Sequence, residues 1–179
     1  MSLDSAPKSF TITYLEMTAP PSFGRPPLPL GAATALLAAE DPPVWYFLAL
    51  YRAVGDAHYW VDMTSRPEEE VAAYLTRPGM TLYTLMRNGW PAGFFLLDEG
   101  EEGESDLAYF GLVPEAIGQG LGSWLLRTAV LTAWERPGIE RLTVNTNTLD
   151  HPRALPLYQR MGFVPIRRVE LPFPPPSEP

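Results

Sequence analysis

The order of apolar segments predicts an α/β protein of the α+β type, in which helices pack on a mixed, mostly antiparallel central sheet. Two observations support this class. Strand-like segments follow one another in the middle of the chain, and helix and strand patterns then alternate to its end. The chain has 179 residues, 46% of them hydrophobic, enough for one substantial core. We therefore expect a single domain over residues 1–171 and a proline-rich tail over residues 172–179.

The first element is a strand over residues 10–17, where Phe10, Ile12 and Tyr14 fall on one side of an extended chain. Proline occurs 21 times and clusters after this strand in APPSFGRPPLPLG and at the end in PFPPPSEP. Such segments favour extended, unpaired backbone. The last cluster therefore indicates a solvated tail, with a polyproline ligand for a partner domain as the alternative.

Two helices and a three-strand meander come next. Helical patterns cover residues 43–53 and 66–75, and the second begins with three glutamates, which suit the positive end of a helix. The segments MTLYTLMR and WPAGFFLLD flank Asn88-Gly89, a pair typical of a type I′ hairpin turn because both residues accept positive φ angles. Residues 106–113, DLAYFGLV, predict the third strand.

The last part of the chain alternates helix, strand, helix and strand. Pro137-Gly138 ends a helix whose apolar residues recur at spacings of three and four: Leu125, Leu126, Ala129, Val130, Ala133 and Trp134. Residues 141–146, RLTVNT, form a strand that leads through HPRALPLYQRMGF into a last helix, and FVPIRRVEL predicts the closing strand.

Composition excludes several classes of function. The net charge of −8 disfavours nucleic acid as a partner, since the average field repels phosphate backbones. The absence of cysteine excludes disulfides, thiolate nucleophiles and cysteine-ligated metals, and the two histidines lack metalloprotease spacing, so we expect no metal. The longest apolar run, VWYFLALY, is too short to span a bilayer, and we expect a cytoplasmic protein.

The segment AIGQGLGSWLL carries the strongest functional signal. It is not a phosphate loop of the Walker type, because no lysine follows Gly122. Gly118, Gly120 and Ser123 come within one residue of a dinucleotide fingerprint, but that fingerprint usually opens a doubly wound sheet. A turn needs only one glycine at positive φ. Three alternating glycines before a helix instead leave successive backbone N–H groups uncovered, which favours binding of a diphosphate.

The run YFGLVPEAIGQGLGSWLL, followed by HPRALPLYQRMGF, resembles the GNAT superfamily of acetyl-CoA-dependent N-acetyltransferases. The family's first signature is Arg/Gln-x-x-Gly-x-Gly/Ala before a helix, and its second is Asn-x-x-Ala-x-x-x-Tyr and then Gly-Phe. Ile117 stands where the family usually has Arg or Gln, and His151 where it often has Asn. The resemblance covers the chain from Asp106 onward, and the two motifs in order are more specific than either alone.

The resemblance implies a single GNAT domain that transfers an acetyl group from acetyl-CoA to an amine. Residues 1–105 would form the variable acceptor half and residues 106–171 the cofactor half. The pantetheine arm would pair with backbone at Leu112 and Val113, and the pyrophosphate would lie over the bend. The implied cofactor-binding residues are Leu112, Val113, Gly118, Gln119, Gly120, Leu121, Gly122 and Ser123.

Transfer to an amine needs a base for the amine proton and an acid for the departing thiolate. Tyr158 matches the family's tyrosine and is the candidate acid, although its helical spacing also suits simple core packing. Asp106 matches a strand carboxylate that some members use, and alternation places it with Ala108 and Phe110 on an apolar face. A solvated charge at the start of the strand is the alternative, and Glu104 is an alternate base.

The acceptor pocket is expected from the aromatic segments VWYFLALY and HYWVD. Candidate substrate-binding residues are Trp45, Tyr46, Trp60 and Asp62, where the carboxylate would hold an ammonium, but aromatic residues at this density also fit a core. The acceptor is expected to be a small-molecule or peptide amine, and a homodimer is kept as a hypothesis. The rival functions are a non-catalytic acyl-CoA sensor and an interaction protein that acts through its proline-rich ends.

Overall fold

A computed structural model describes residues 9–173 and confirms the predicted class, a mostly antiparallel sheet flanked by helices. The strands are β1 (Ser9–Met17), β2 (Thr34–Ala39), β3 (Met80–Arg87), β4 (Trp90–Asp98), β5 (Glu104–Leu112), β6 (Arg141–Asn147) and β7 (Val164–Pro172). The helices are α1 (Val44–Gly55), α2 (Glu68–Leu75), α3 (Leu121–Trp134) and α4 (Ala154–Met161). The strands form one sheet in the order β2-β3-β4-β5-β6-β1-β7.

The meander and its hairpin form as predicted. Asn88 and Gly89 both have positive φ angles, 49° and 87°, as a type I′ turn requires. Strand β2 was not predicted from the sequence. Its segment TALLAA has no strict alternation of apolar and polar residues, and its strand conformation is set by antiparallel pairing with β3.

The predicted first strand exists, and Phe10 is buried as predicted. From Thr13 onward the predicted side was wrong, because the buried residues are Thr13, Leu15 and Met17, whereas Ile12 and Tyr14 are only half-buried. No residue of β1 is fully exposed, so both faces of this strand are at least partly covered. Alternation is a weak guide to burial in such a strand.

The pairing of β5 and β6 is the one parallel pairing of the described sheet, and it is short. It runs from Glu104 opposite Arg141 to Leu107 opposite Val144 and then ends, so the two strands separate from Ala108 onward. A bulge on β5 accompanies this separation, because Leu97 pairs with Leu107 and Leu96 with Tyr109.

The predicted face of Asp106 was wrong because of this bulge. Residues opposite each other on antiparallel strands point to the same side, so Asp106, opposite Asp98, shares a face with Tyr109 and not with Phe110. The extra residue, Ala108, reverses the alternation. Helix α1 packs closely on the Tyr109 side, where a Cβ added at Gly111 would lie 2.3 Å from Val54 Cγ1.

The ends of the chain add two observations. The predicted tail begins at Pro172, which closes β7, whereas residues 174–179 lie outside the described residues. Among the residues that the structure describes, no helix has the length and apolar character needed to cross a membrane.

Candidate active site

A groove of about 570 Å³ opens where β5 and β6 separate. One wall consists of β5 from Leu107 to Leu112, and Asn145 and Asn147 of β6 lie opposite. Because the two strands no longer pair with each other there, their facing backbone groups are left for another hydrogen-bonding partner. The bend before α3 and the first turns of α4 complete the lining.

The glycine bend presents main chain to this groove. Gly118 and Gly120 have φ angles of 83° and 75°, a region that residues with a Cβ rarely adopt, and no other atom lies within 4 Å of the Cβ that either lacks. Helix α3 starts directly after Gly120 with no side-chain cap. The first N–H groups of a 14-residue helix therefore remain available at the groove, as an anion-binding site requires.

The structure brings part of the predicted cofactor set together. Leu112, Gly118, Gly120, Gly122 and Ser123 line the groove. Three other members do not: Gln119 donates from Nε2 to the Glu115 carbonyl oxygen at 3.0 Å, and Leu121 and Val113 are buried in the core.

The groove obtains its positive charge from α4. Ile117, where the family motif usually has Arg or Gln, is 45% exposed and adds an apolar side chain to the lining. The basic residues among the lining residues are Arg153 and Arg160, both exposed. A phosphate in the groove would therefore meet cations from α4 rather than from the bend.

Tyr158 is a residue of α4 that lines the groove. It is only 5% exposed, and its ring contacts Phe110 and Phe163 at centroid distances of 6.2 and 5.8 Å. Burial raises the pKa of the Tyr158 hydroxyl well above its ordinary value, and the charges of Asp150 and Asp106 act in the same direction. The hydroxyl therefore stays protonated and can serve as a donor.

Neither candidate base belongs to the groove lining. Thr143 Oγ1 donates to Asp106 Oδ1 at 2.5 Å, and burial raises the pKa of the Asp106 carboxyl. Glu104 Oε1 accepts from Arg141 Nη1 at 3.1 Å where β5 and β6 are still paired. The assignment of Asp106 or Glu104 as the base stays a prediction.

The predicted acceptor residues divide between two cavities. Trp60 and Asp62 line the groove, whereas Trp45 and Tyr46 line a separate cavity of about 390 Å³ together with Val113. Tyr46 also donates its hydroxyl to Thr84 Oγ1 at 3.0 Å, and Trp45 is 70% exposed.

Sequence reasoning missed the partners of Asp62. Tyr51 of α1 donates its hydroxyl to one carboxylate oxygen of Asp62, and Tyr109 of β5 donates to the other. We call Tyr51, Trp60 and Tyr109 the aromatic cluster, because their ring centroids are 5.3 to 5.5 Å apart. No spacing in the sequence joins the three segments, although Tyr51 lies in a predicted helix and Tyr109 in a predicted strand.

Two histidines also meet in the groove, with ring centroids 6.2 Å apart. His58 Nδ1 lies 3.2 Å from the Leu149 carbonyl oxygen, which can only accept, so in the neutral imidazole Nδ1 carries the proton and Nε2 has the lone pair. His151 Nδ1 accepts from the Arg153 N–H at 3.2 Å. Within residues 9–173 no three His, Asp or Glu side chains are placed to share a metal ion.

The described sheet thus opens where its two parallel strands separate, beside a glycine bend and the N-terminus of α3. Residues 47–163 match the model of the Acetyltransferase (GNAT) family, and the chain therefore belongs to this family. A search of curated proteins finds no match.

Solved structures share the fold at low identity. A GCN5-related N-acetyltransferase from Kribbella flavida is 22% identical with a TM-score of 0.59, and the alignment covers 93% of this chain and 60% of that chain. A GNAT-family putative acetyltransferase from Novosphingobium aromaticivorans is 19% identical with a TM-score of 0.60, with coverages of 90% and 62%. This chain thus spans about three fifths of either protein.

A third structure is an aminoglycoside acetyltransferase from an uncultured soil metagenomic sample in complex with sisomicin. It is 16% identical with a TM-score of 0.56, and the alignment covers 72% of this chain and 87% of that one. These likenesses support the fold.

Proposed function

We propose that the protein transfers an acetyl group from acetyl-CoA to a primary amine of a small molecule or peptide by direct attack. The observation that carries this proposal is the groove, in which separated parallel strands lie beside the uncovered N–H groups of the glycine bend. Family membership gives the acetyltransferase class. We expect this chemistry to take place in the cytoplasm.

The groove offers each part of acetyl-CoA a suitable partner. The amide groups of the pantetheine arm would hydrogen-bond to β5 backbone near Leu112, which β6 leaves unpaired. The pyrophosphate would accept from the N–H groups around Gly118 and Gly120 at the positive end of α3. Arg153, directly before α4, and Arg160 of α4 would add charge to the phosphate contacts.

In the reaction the amine nitrogen forms a bond to the thioester carbonyl carbon, and the carbon–sulfur bond then breaks. Backbone N–H groups near the Ala108 bulge would donate to the carbonyl oxygen as its negative charge grows. The departing sulfur takes a proton from the Tyr158 hydroxyl, and the amine nitrogen loses one to a base or to water.

The base has two candidates. Asp106 follows from the family resemblance, but its side chain lies on the sheet face of Tyr109 and bonds to Thr143. His58 follows from the geometry, because it lines the groove and its Nε2 lone pair is available. Replacing each by its neutral isostere, Asp106→Asn and His58→Gln, separates them: the true base is the one whose loss lowers kcat without changing acetyl-CoA affinity.

The proposed function is tested by replacing Tyr158 with Phe, which removes only the hydroxyl. We expect kcat for CoA release with a good amine to fall about 100-fold, because an acid is lost, while calorimetry shows the acetyl-CoA Kd nearly unchanged. The matched control is Tyr83→Phe, since Tyr83 stacks on Phe95 away from the groove. An unchanged kcat in Tyr158→Phe contradicts the acid role.

The alternative is a non-catalytic acyl-CoA sensor. It is favoured by one observation, that Asp106 and Glu104 both lie outside the groove lining. Tight acetyl-CoA binding without turnover across a broad amine panel would support this alternative. Failure of acetyl-CoA to raise the melting temperature would contradict both functions, since a ligand of the folded state must stabilise it.

A further inference from the structure

Asp62 is an exposed carboxylate whose orientation is fixed from two sides. The hydroxyls of Tyr51 and Tyr109 each donate to a different carboxylate oxygen. The Met63 N–H donates to the Tyr51 oxygen at 3.4 Å, which leaves the Tyr51 proton for Asp62. Burial raises the pKa of both tyrosines, the charge of Asp62 adds to this rise, and the hydroxyls remain protonated donors.

Asp62 therefore keeps lone pairs for an additional donor, because each carboxylate oxygen accepts more than one hydrogen bond. No described Lys or Arg side chain lies within ion-pair distance of the Asp62 carboxylate. Arg66 is close in sequence, but its Nε donates to the Asp62 backbone oxygen at 3.2 Å.

The aromatic cluster adds a second feature that suits a cation. Trp60 and Tyr109 line the groove together with Asp62, and ring faces attract positive charge through their quadrupole. Tyr51 is fully buried and contributes through its hydroxyl alone. The Trp60 Nε1–H donates to Asp150 Oδ1 at 2.9 Å, so that a second carboxylate lies next to the cluster. An anionic acceptor would be repelled here.

We propose that Asp62, together with the rings of Trp60 and Tyr109, binds a cationic group of the acceptor. The acceptor is then a small molecule with a second positive charge besides the amine that is acetylated. This inference rests on the proposed acetyl transfer. The reacting amine must lose its proton before it attacks, so it cannot also be the ammonium that Asp62 holds.

The test compares two ligands of the same length that differ only in charge: putrescine, and butane-1,4-diol, in which both amines are hydroxyls. Calorimetry on the full chain saturated with CoA gives both Kd values. We expect putrescine to bind about fivefold more tightly, and Asp62→Asn to abolish this preference. The control is Asp56→Asn, an exposed residue in the short turn after α1 that does not line the groove.

Equal affinities in the parent protein, or a preference that survives in Asp62→Asn, would overturn the inference. Should Asp62→Asn fail to fold, Tyr109→Phe removes one hydroxyl donor and must reduce the preference. Turnover is measured separately as CoA release. Acetylation of putrescine without a preference in Kd overturns this inference and leaves the acetyltransferase proposal standing. A preference in Kd without turnover supports the cation site and contradicts acetyl transfer to putrescine.

Discussion

The two ends of the groove differ in the groups that line them: main-chain groups at one end and side chains at the other. Main chain forms the end proposed for the cofactor, called the cofactor end: Gly118 and Gly120 present bare N–H groups, and the separated strands present unpaired peptide groups. Side chains form the end proposed for the acceptor, called the acceptor end, where Tyr51 of α1 and Tyr109 of β5 donate to Asp62. A main-chain site depends on the absence of Cβ atoms and therefore marks the sequence with glycines. A side-chain site assembled from distant segments leaves no such mark.

The largest expected effect comes from adding Cβ atoms at the cofactor end. Both glycines of the bend adopt positive φ angles, so the double variant Gly118→Ala and Gly120→Ala strains the bend and covers its N–H groups. We expect acetyl-CoA affinity to fall about 100-fold in calorimetry. Gly138→Ala is the control, because Gly138 has a φ of 81° and equally open surroundings outside the groove lining. A similar loss in the control would show that backbone strain alone is responsible.

The next effect concerns the contact that joins the two ends, where α1 packs on β5. Gly111→Ala puts a Cβ 2.3 Å from Val54 Cγ1, and we expect the free energy of unfolding to fall by about 1–3 kcal/mol. Val54→Ala removes the clashing methyl group, so the double variant should be more stable than the sum of the single effects predicts. Strictly additive denaturation energies would show that the two residues do not meet.

A conservative change at the acceptor end should leave the cofactor end untouched. Trp60→Phe removes the hydrogen bond from the indole N–H to Asp150, at a cost of about 1 kcal/mol in the free energy of unfolding. The acetyl-CoA Kd should stay the same in calorimetry, because Trp60 lies at the acceptor end of the groove. A large loss of acetyl-CoA affinity would break the distinction between the two ends.

The smallest expected effect is on the pH dependence of the free energy of unfolding. It concerns Asp106, which does not line the groove. Burial raises the pKa of this carboxyl above its ordinary value, so the folded state holds the proton more tightly than the unfolded state. The stability that Asp106 contributes is therefore present at low pH and is lost as the pH rises from about 4 through the folded pKa. Asp106→Asn should flatten this slope in denaturant titrations. An unchanged slope in Asp106→Asn would contradict the shift.

Prediction from the sequence succeeded where local physics decides the outcome. Asn88-Gly89 predicts its hairpin because the turn needs positive φ at both positions. Prediction failed where the pairing of strands decides the structure. No local pattern in TALLAA specifies β2, which is defined by its pairing with β3. The predicted alternation of β5 was wrong because one extra residue, Ala108, reverses the direction of every side chain after it.

The site divides in the same way. Gly118, Gly120 and Tyr158 were found through motifs, and all three line the groove. Trp45 and Tyr46 were grouped with Trp60 on aromatic content alone, but α1 turns them toward another cavity. His58, which no motif marked, enters the groove because its turn docks against the carbonyl of Leu149.

By itself, then, the sequence determined the fold class, the family and the bend that faces the groove, because glycine patterns and hydrophobic periodicity act over a few residues. Only the tertiary structure decided that β1 lies between β6 and β7, that Asp106 lies on the face of Tyr109, and that Asp62 meets two tyrosines. These relations join segments far apart in the chain, and they arise from sheet pairing and helix packing, which no short stretch of residues encodes.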